Sequence, residues 1–389
     1  MIKARTRRII QGSDYSAQEP RLLSQLCGDE GMLQAYRDGK DLYVEISSIS
    51  YKRPYKMCLE HFPKGAPIKQ CADGEHWEYA KLKTGEEDDI QNFEDFYKYL
   101  EEDFDPELYD YDKLANGDTD VFAEGKEYRS QAKRILLGIM YGRGAKSIAE
   151  QLFGTPKNKK EEEENTEKAK VIKENVYKAF PKIRTFEEDS VKKVKEHGYV
   201  STLWGRRRRL PNYNLPPIQM FYVYKDNNGN ETKLEDLSVV NPAKYTEILG
   251  KYSSCGWGQR DKYAEDLENK EGIRIINNNS KIAAAGRQII NSQVQGSAAD
   301  MSKMALVKIH NDEELIKRKV KIIIPVHDEI LIETPLRYAK YVKDRFAEDM
   351  MTAARPKLTI PVSCDVESSD RWYGETMDLD EELKGLEGV

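Results

Sequence analysis

The sequence predicts a mixed α+β fold, and two observations support this prediction. Short apolar strand-like runs lie near both ends of the chain, in the first dozen residues and in a hairpin pattern from Lys321 to Pro335. Between them, long stretches such as 128–154 and 283–310 repeat apolar residues with a helical period. A chain of 389 residues is long enough for two or three domains or for one large multi-lobed domain.

Composition and charge narrow the class of protein. Charged residues make up 33% of the chain and its mean hydropathy is -0.76, without a membrane-length apolar run or a signal-peptide pattern. These features predict a soluble, cytoplasmic protein with no membrane partner, and five scattered cysteines predict reduced thiols. The net charge of -6 conceals a strongly acidic segment at 86–120, so it does not argue against nucleic acid as a partner.

The first strand is predicted to lead into Asp14, with a helix beginning near Pro20 and further helix over 31–49. An Asp at a strand-to-helix junction is often a helix N-cap, and that is one interpretation of Asp14. The other is a carboxylate that binds a metal together with a second acid elsewhere in the chain.

Residues 51–122 are rich in Pro, Gly and acidic side chains and predict an inserted, solvent-facing subdomain. Two cysteines and two histidines lie close together in this stretch, and such a set could bind zinc tetrahedrally. Their spacing is not that of a standard zinc finger. The four candidate zinc ligands are Cys58, His61, Cys71 and His76.

A helix predicted over 128–154 places Arg129, Lys133, Leu137 and Tyr141 at successive intervals of four residues, in one slowly drifting stripe. Two cations would be poor core residues without partners. They suit a nucleotide, since cations bind phosphates and a tyrosine ring stacks on a base. The alternative is an ordinary amphipathic helix with two exposed cations.

The middle of the chain predicts mixed-charge helices from 157 to 196, and then a hairpin that ends in a basic turn containing Arg206 and Arg207. These arginines could contact a phosphate backbone, or they could simply form a solvated surface. Residues 213–279 form a second, irregular insertion, whose Tyr and Trp content predicts that it folds.

The helix predicted over 283–310 places Arg287, Asn291 and Gln295 on one face. Such side chains hydrogen-bond acceptors on base edges, including those in the minor groove of DNA. A polar face in contact with water is the alternative. A further helix over 338–351 and a closing strand over 361–366 follow.

The hairpin at Lys321 to Pro335 has two apolar arms around His327, Asp328 and Glu329. Adjacent acids at a hairpin tip repel each other unless solvent, a metal or a cation compensates. The trio therefore predicts either a solvated turn or half of a metal site.

Four motifs together resemble DNA polymerase family A, the family of bacterial DNA polymerase I. D-Y-S-x-x-E at 14–19 resembles motif A, R-x-x-x-K-x-x-x-L-x-x-x-Y-G at 129–142 resembles motif B, and V-H-D-E at 326–329 resembles motif C. R-x-x-x-N-x-x-x-Q-G at 287–296 resembles the family's primer-template helix. The resemblance implies a right-hand palm with an antiparallel sheet and helical fingers. Its parts would be residues 1–27 as the first palm segment, 28–280 as fingers with both insertions, and 281–389 as the second palm segment.

The resemblance also implies roles for individual residues. Asp14, Asp328 and the carbonyl of Tyr15 would hold two Mg²⁺ ions, with Glu329 as a modulating acid beside them. Arg129 and Lys133 would bind the phosphates of a dNTP, and Lys133 would also donate a proton to the leaving group. Tyr141 would contact a base, and Glu19 would exclude a ribose. The residues expected to hold primer-template DNA are His327, Arg287, Asn291, Gln295, Arg206 and Arg207.

Two departures from the family pattern lead to further expectations. Leu137 stands where family members usually have Phe or Tyr, which predicts weak acceptance of dideoxynucleotides. Motif A lies almost at the start of this sequence, so thumb and exonuclease domains are expected to be absent, as in a split or truncated phage-type polymerase, and in the split form a second polypeptide would supply them. The alternatives are an enzyme similar to single-subunit RNA polymerases, against which Glu19 weighs, and a non-catalytic DNA-binding polymerase subunit.

Overall fold

A computed structural model describes residues 3–52, 55–59, 68–70, 77–79, 120–379 and 382–383. The strands are β1 (Arg8–Tyr15), β2 (Ile68–Gln70), β3 (Trp77–Tyr79), β4 (Tyr199–Ser201), β5 (Arg207–Arg209), β6 (Ile218–Lys225), β7 (Glu231–Asp236), β8 (Ile273–Asn277), β9 (Lys321–Val326), β10 (Glu329–Pro335) and β11 (Cys364–Ser369). The α-helices are Gln18–Cys27, Glu30–Arg37, Leu42–Tyr51, Asp120–Met140, Ala145–Phe153, Lys159–Ala179, Pro181–His197, Leu237–Val240, Pro242–Ser254, Arg260–Glu271, Asn279–Asn311, Glu313–Lys317 and Ala339–Thr352. The predicted mixed α+β class is confirmed.

A four-stranded antiparallel sheet unites the two ends of the chain in the order β11-β1-β10-β9. Strand β1 lies in the interior of this sheet. Its neighbours on both sides come from the last seventy residues or so of the chain. Ile9 and Ile10 on β1 and Ile330 on β10 are buried. Ile9 and Ile10 are adjacent and point to opposite faces, so both faces of β1 are covered at this point.

The helix Ala339–Thr352 packs against this sheet through Val342, Phe346 and Met350, all fully buried. The Tyr15 hydroxyl donates a hydrogen bond of 3.1 Å to the carbonyl of Met350, which fixes the end of β1 to this helix. The closing strand is confirmed, although it begins at Cys364 rather than at Pro361.

The chain divides into two compact units by its internal contacts. The first contains residues 1–188, 201–206 and 290–389, and the second contains 189–200 and 207–289. In the second unit, a three-stranded sheet in the order β7-β6-β8 packs on a core of Met220, Leu237, Ile248, Leu267 and Ile273. The prediction that 213–279 folds is confirmed, but its description as irregular is wrong because alternating apolar residues such as Ile218, Met220 and Tyr222 form a regular strand.

Three further expectations are corrected or limited. The basic residues Arg207–Arg209 form the return strand of the predicted hairpin rather than its turn, which lies at 202–206. Most of the insertion at 51–122 lies outside the described residues. Across the described part of the chain, no helix is both long and apolar enough to span a bilayer.

A buried acid that contacts two arginines ties the beginning of the chain to the sheet. Glu333 on β10, with 7% of its side chain exposed, accepts hydrogen bonds from Arg5, and Arg8 Nε lies 2.9 Å from its Oε2 atom. The hydrogen bonds from Arg5 are the main reason why the pKa of Glu333 falls to about 2. A carboxyl group with a depressed pKa stabilises the fold above its ordinary pKa, and this contribution is lost as the pH falls through the folded value.

We therefore expect Glu333→Gln to lower the free energy of unfolding by about 2 kcal/mol at neutral pH, since Arg5 is largely exposed and screening reduces the pair's value. The difference from the unmodified protein should shrink as the pH falls from about 4.5 towards about 2. Urea unfolding across this range measures it. Glu348→Gln, which breaks only a surface pair with Arg345, is the control and should change little. A pH-independent difference would contradict the prediction.

Candidate active site

The hairpin turn holds one of the two principal acids. Val326 at the end of β9 pairs with Glu329 at the start of β10, so His327 and Asp328 alone form the turn. His327 has a φ of 56°, as expected in a two-residue turn that follows the twist of the strands. The predicted tip of three polar residues is thus corrected, because Glu329 is already a strand residue with its side chain half-buried.

Asp14 approaches this turn from the neighbouring strand. The last residue pair between β1 and β10 joins Ser13 to Ile330, so Asp14 lies one residue beyond it, beside the start of β10. The alternation of β1 buries Ser13 and Tyr15 and leaves Asp14 exposed. The N-cap interpretation of Asp14 is wrong, since the helix begins at Gln18 and its N-cap is Ala17, which makes no side-chain capping bond.

A cavity of about 580 Å³ collects residues from all four motifs within the first unit. It is open to solvent and has a mixed lining of acids, cations and aromatic rings. The predicted site residues that line it are Asp14, Tyr15, Glu19, Lys133, Leu137, Tyr141, Gln295, His327 and Asp328.

The two aspartates influence each other electrostatically. Burial raises the pKa of Asp14, and the negative charges of Asp328 and Asp365 raise it further. Carboxylates that repel each other in this way are stabilised by a bound cation, and hard oxygen donors suit Mg²⁺. The Tyr15 side chain is buried, so only its main chain could contribute a ligand.

The carboxylates of Asp14 and Asp328 and the main chain of Tyr15 offer the kind of oxygen ligands that Mg²⁺ usually binds. No group of three or more His, Cys, Asp or Glu side chains is arranged to hold a metal among the residues the structure describes. Mg²⁺ nevertheless takes only one or two carboxylates in many enzymes and completes its shell with water and substrate phosphates. Of the candidate zinc ligands, Cys58 is buried, whereas His61, Cys71 and His76 lie outside the described residues.

A second cavity of about 370 Å³ adjoins the same two aspartates. It contains Glu329, which is absent from the lining of the first cavity. Burial raises the pKa of Glu329, and the charges of Asp14, Asp328 and Glu367 raise it further, opposed by a hydrogen bond from Trp372. Glu329 thus lies beside the aspartate pair rather than within the larger cavity.

The helix Asp120–Met140 has two distinct faces. Ile135, Leu136 and Ile139 are buried in the core, while Lys133 and Leu137 line the larger cavity. Lys133 is exposed and forms no ion pair with any residue in the described part of the chain. Its charge is therefore available to an anion in the cavity.

Arg129 belongs to the same predicted stripe but does not line the cavity. Its Nε donates a hydrogen bond of 2.8 Å to Asp41, and its guanidinium lies 5.5 Å from the ring centre of Tyr43. Tyr43 itself lines the cavity. In this structure the two cations of the stripe thus have different surroundings, Lys133 in the cavity and Arg129 paired beside it.

Tyr141 and Glu19 connect the helical part of the site to the end of β1. The Tyr141 hydroxyl donates a hydrogen bond of 3.0 Å to Glu19. Burial and the adjacent carboxylate raise the pKa of Tyr141, so its hydroxyl stays protonated. This hydrogen bond holds Glu19 at the wall of the cavity. The Glu19 side chain there occupies space that a ligand in the cavity cannot use.

The helix Asn279–Asn311 carries the third motif. Gln295 is exposed and lines the cavity, whereas Asn291 is half-buried and its Oδ1 atom has no hydrogen-bond partner among the described residues. Arg287 is exposed on the part of this helix that belongs to the second unit. Only Gln295 of the three is thus placed at the larger cavity.

The two arginines that were predicted to bind phosphates make different contacts in the structure. Arg206 donates hydrogen bonds to Asp300, at 2.7 Å, and to the carbonyl of Gly296, at 2.8 Å. The guanidinium of Arg207 lies 4.7 Å from the ring centre of Tyr199. Arg206 therefore anchors the loop at 202–206 to the long helix.

Several residues at the two cavities were missed by sequence reasoning. The stretch Asp41-Leu42-Tyr43 resembles the family, but the sequence assigned Tyr43 no role, and nothing in the sequence marked Gln18 or Ser302. Asp365 and Glu367 reach the second cavity only because β11 pairs with β1. No local pattern reveals a contact between such distant strands.

Gly296 permits the close packing beside Gln295. A Cβ atom there would lie 2.7 Å from Thr202 Cγ2 and 3.3 Å from Arg206 Nη2. We expect Gly296→Ala to destabilise the protein by about 1–3 kcal/mol through overpacking, measured by thermal or urea unfolding. Gly286→Ala on the same helix meets only an ordinary contact at 3.5 Å and is the control. It should be neutral or stabilising by up to about 1 kcal/mol. Equal effects would contradict the packing explanation.

The chain is similar to known proteins over most of its length. The family model described as DNA polymerase family A matches residues 119–374, which is more than half of the chain. A thermostable DNA polymerase I of Thermus aquaticus is 23% identical over 359 residues, covering 92% of this chain and 26% of that protein. DNA polymerase I of Borreliella burgdorferi is 39% identical over 108 residues, covering 27% of this chain and 12% of its own length.

Among solved structures, the chain is similar to the POL domain of Pol1 from M. smegmatis, determined in complex with DNA primer-template and dNTP. The TM-score is 0.54 at 19% sequence identity, with 95% of this chain and 41% of that chain covered. This likeness concerns the fold. The chain spans about a quarter of the length of the Thermus relative.

Proposed function

The chain belongs to DNA polymerase family A, and we propose that it extends a primer 3′-hydroxyl on a DNA template by nucleotidyl transfer from dNTPs. The observation that supports this most strongly is the larger cavity, in which Asp14 and Asp328 face Lys133 and Tyr141. An acid pair for cations beside a lysine for phosphates and a ring for a base suits phosphoryl transfer, in which positioning and charge neutralisation dominate.

The aspartates would hold two Mg²⁺ ions together with the carbonyl of Tyr15. When bound, these ions activate the attacking hydroxyl and neutralise the departing pyrophosphate. Glu329 lies beside the pair and modulates its electrostatic environment without being an obligatory ligand. His327, in the same turn, would contact the primer terminus.

The nucleotide would bind between the helix Asp120–Met140 and the end of β1. Lys133 would bind the β- and γ-phosphates and donate a proton to the leaving group. Arg129 would join it after leaving Asp41, while Tyr141 would lie against a base. Glu19, held by Tyr141, would crowd the 2′ position of the sugar.

Palm and fingers are the proposed names for the parts of the chain that carry these roles. Residues 1–27 and 281–389 would form the palm and 28–280 the fingers. Arg287, Asn291 and Gln295 would contact the minor groove of the primer-template, with Arg206 and Arg207 at its backbone.

The central test is substitution of the turn acid. We expect Asp328→Asn to reduce Mg²⁺-dependent extension of a labelled primer by at least about a thousandfold, because the metal pair loses a charged ligand. Asp344→Asn, an exposed acid on the helix Ala339–Thr352, is the control and should retain full activity. Extension that survives Asp328→Asn would overturn the assignment.

Sugar selection separates a DNA polymerase from an enzyme similar to single-subunit RNA polymerases. We expect strong preference for deoxynucleotides, and Glu19→Ala should raise ribonucleotide incorporation about 10- to 100-fold, since a steric and polar obstacle of a few kcal/mol is removed. Steady-state incorporation of matched dNTP and NTP pairs measures both. Preferential use of ribonucleotides by the unmodified protein would favour the alternative.

The residue at position 137 predicts how well the protein uses chain-terminating nucleotides. Without a ring at this position, dideoxynucleotides should be accepted poorly. Leu137→Tyr should improve their use about tenfold, because a phenolic hydroxyl can supply a hydrogen bond that the missing 3′-hydroxyl no longer makes. The pattern of terminated products in a primer-extension assay measures how often dideoxynucleotides are incorporated. Efficient termination in the unmodified protein would contradict the expectation.

A split, phage-type polymerase is the finer form of the proposal, in which a second polypeptide supplies thumb and exonuclease functions. The competing interpretation, a non-catalytic DNA-binding subunit, is disfavoured because both aspartates line one cavity. Extension assays with the chain alone and with candidate partner chains distinguish the two.

A further inference from the structure

Trp372 is held in place by the turn that follows β11. The Ala4 amide donates to the carbonyl of Asp370 at 2.8 Å, and the Gly374 amide donates to the carbonyl of Arg371 at 2.9 Å. A Cβ atom on Gly374 would lie 2.9 Å from that same carbonyl oxygen. These hydrogen bonds fix the main chain on both sides of Trp372.

The indole of Trp372 reaches Glu329. Its Nε1 donates a hydrogen bond of 3.3 Å to Glu329 Oε2. Its ring also stacks on Tyr373, with ring centres 4.7 Å apart and planes inclined by 22°. An indole nitrogen can only donate, so this contact stabilises the carboxylate form and orientation of its acceptor.

Gly12 makes room for the same carboxyl group from the opposite side. A Cβ atom on Gly12 would lie 2.7 Å from Glu329 Oε1. Glu329 is therefore held between an indole donor and a glycine on the neighbouring strand β1. Neither contact can be inferred from the family's four motifs.

The surroundings of Glu329 explain why it needs such support. Asp14, Asp328 and Glu367 all act on it as like charges. Without a donor, the repulsion would favour rotation of the Glu329 side chain away from the aspartate pair. The hydrogen bond from Trp372 opposes this rotation.

We infer that Trp372 is a positioning residue, which acts through Glu329 to keep an acid at a fixed distance beside the catalytic aspartates. The inference rests on the proposed function for its effect on the reaction. The contact itself does not, and it can be tested in the protein without metal or substrate.

The first experiment detects the contact directly. In protein with ¹⁵N-labelled tryptophan and without metal, Trp372→Phe identifies the Trp372 indole resonance by its loss. Glu329→Gln should move this resonance, because a neutral amide is a weaker acceptor than a carboxylate. Glu367→Gln is the matched control, since Glu367 lines the same cavity without a hydrogen bond to the indole. A resonance that responds equally to both substitutions, or to neither, overturns the inference.

The second experiment is a double-mutant cycle in the extension assay. Trp372→Phe keeps an aromatic ring on Tyr373 but removes the donor, and should lower kcat about tenfold, the low end for a hydrogen bond to a charged group. The KM for dNTP should stay unchanged. In a Glu329→Ala background, the same substitution should have no further effect.

Tyr341→Phe, a half-exposed aromatic in the same unit, is the control for loss of a polar group and should leave kcat unchanged. An equal loss from Trp372→Phe with and without Glu329 would show a merely structural role and overturn the inference. Failure of the proposed function would appear separately, as no Mg²⁺-dependent extension by the unmodified chain. If Trp372→Phe does not fold, the Trp372 resonance is assigned as the one that remains after Trp77, Trp204 and Trp257 are each replaced by Phe, and its response to Glu329→Gln stays decisive.

Discussion

The pairing of β1 with β10 is the interaction on which the candidate site depends. Asp14 and Asp328 lie near opposite ends of the chain, and only the register that joins Ser13 to Ile330 brings them to one cavity. Burial of an apolar side chain stabilises by about 1.5–3 kcal/mol, and the strands bury several. Repulsion between two surface acids is on the order of 1 kcal/mol in water-like surroundings. The buried isoleucines and leucines therefore hold the acids together against their repulsion.

Once the acids are fixed, the helix Asp120–Met140 supplies the opposite charge. Its buried face, which includes Ile135 and Leu136, determines its orientation, and that orientation turns Lys133 towards the aspartates. The cavity thus has negative charge on the sheet and positive charge on the helix. This distribution of charge is one reason for the proposal that a nucleoside triphosphate binds here with its cations.

Close packing around the acids depends on small residues. Gly12 leaves space for the carboxyl group of Glu329, and Gly296 lets the loop at 202–206 approach the long helix. The two glycines matter because atoms from distant parts of the chain lie against them. The indole of Trp372, also from a distant part of the chain, donates a hydrogen bond to Glu329.

The sequence by itself determined the residue types and their local spacing: the helical stripe of Lys133 and Tyr141, the hairpin around Asp328, and the strand before Asp14. These are local patterns, which period and turn chemistry can predict. It could not determine that Asp14 caps no helix, that Arg129 pairs with Asp41 or that Arg206 binds Asp300. Those outcomes required the tertiary structure, because each depends on a partner that neither period nor turn chemistry identifies.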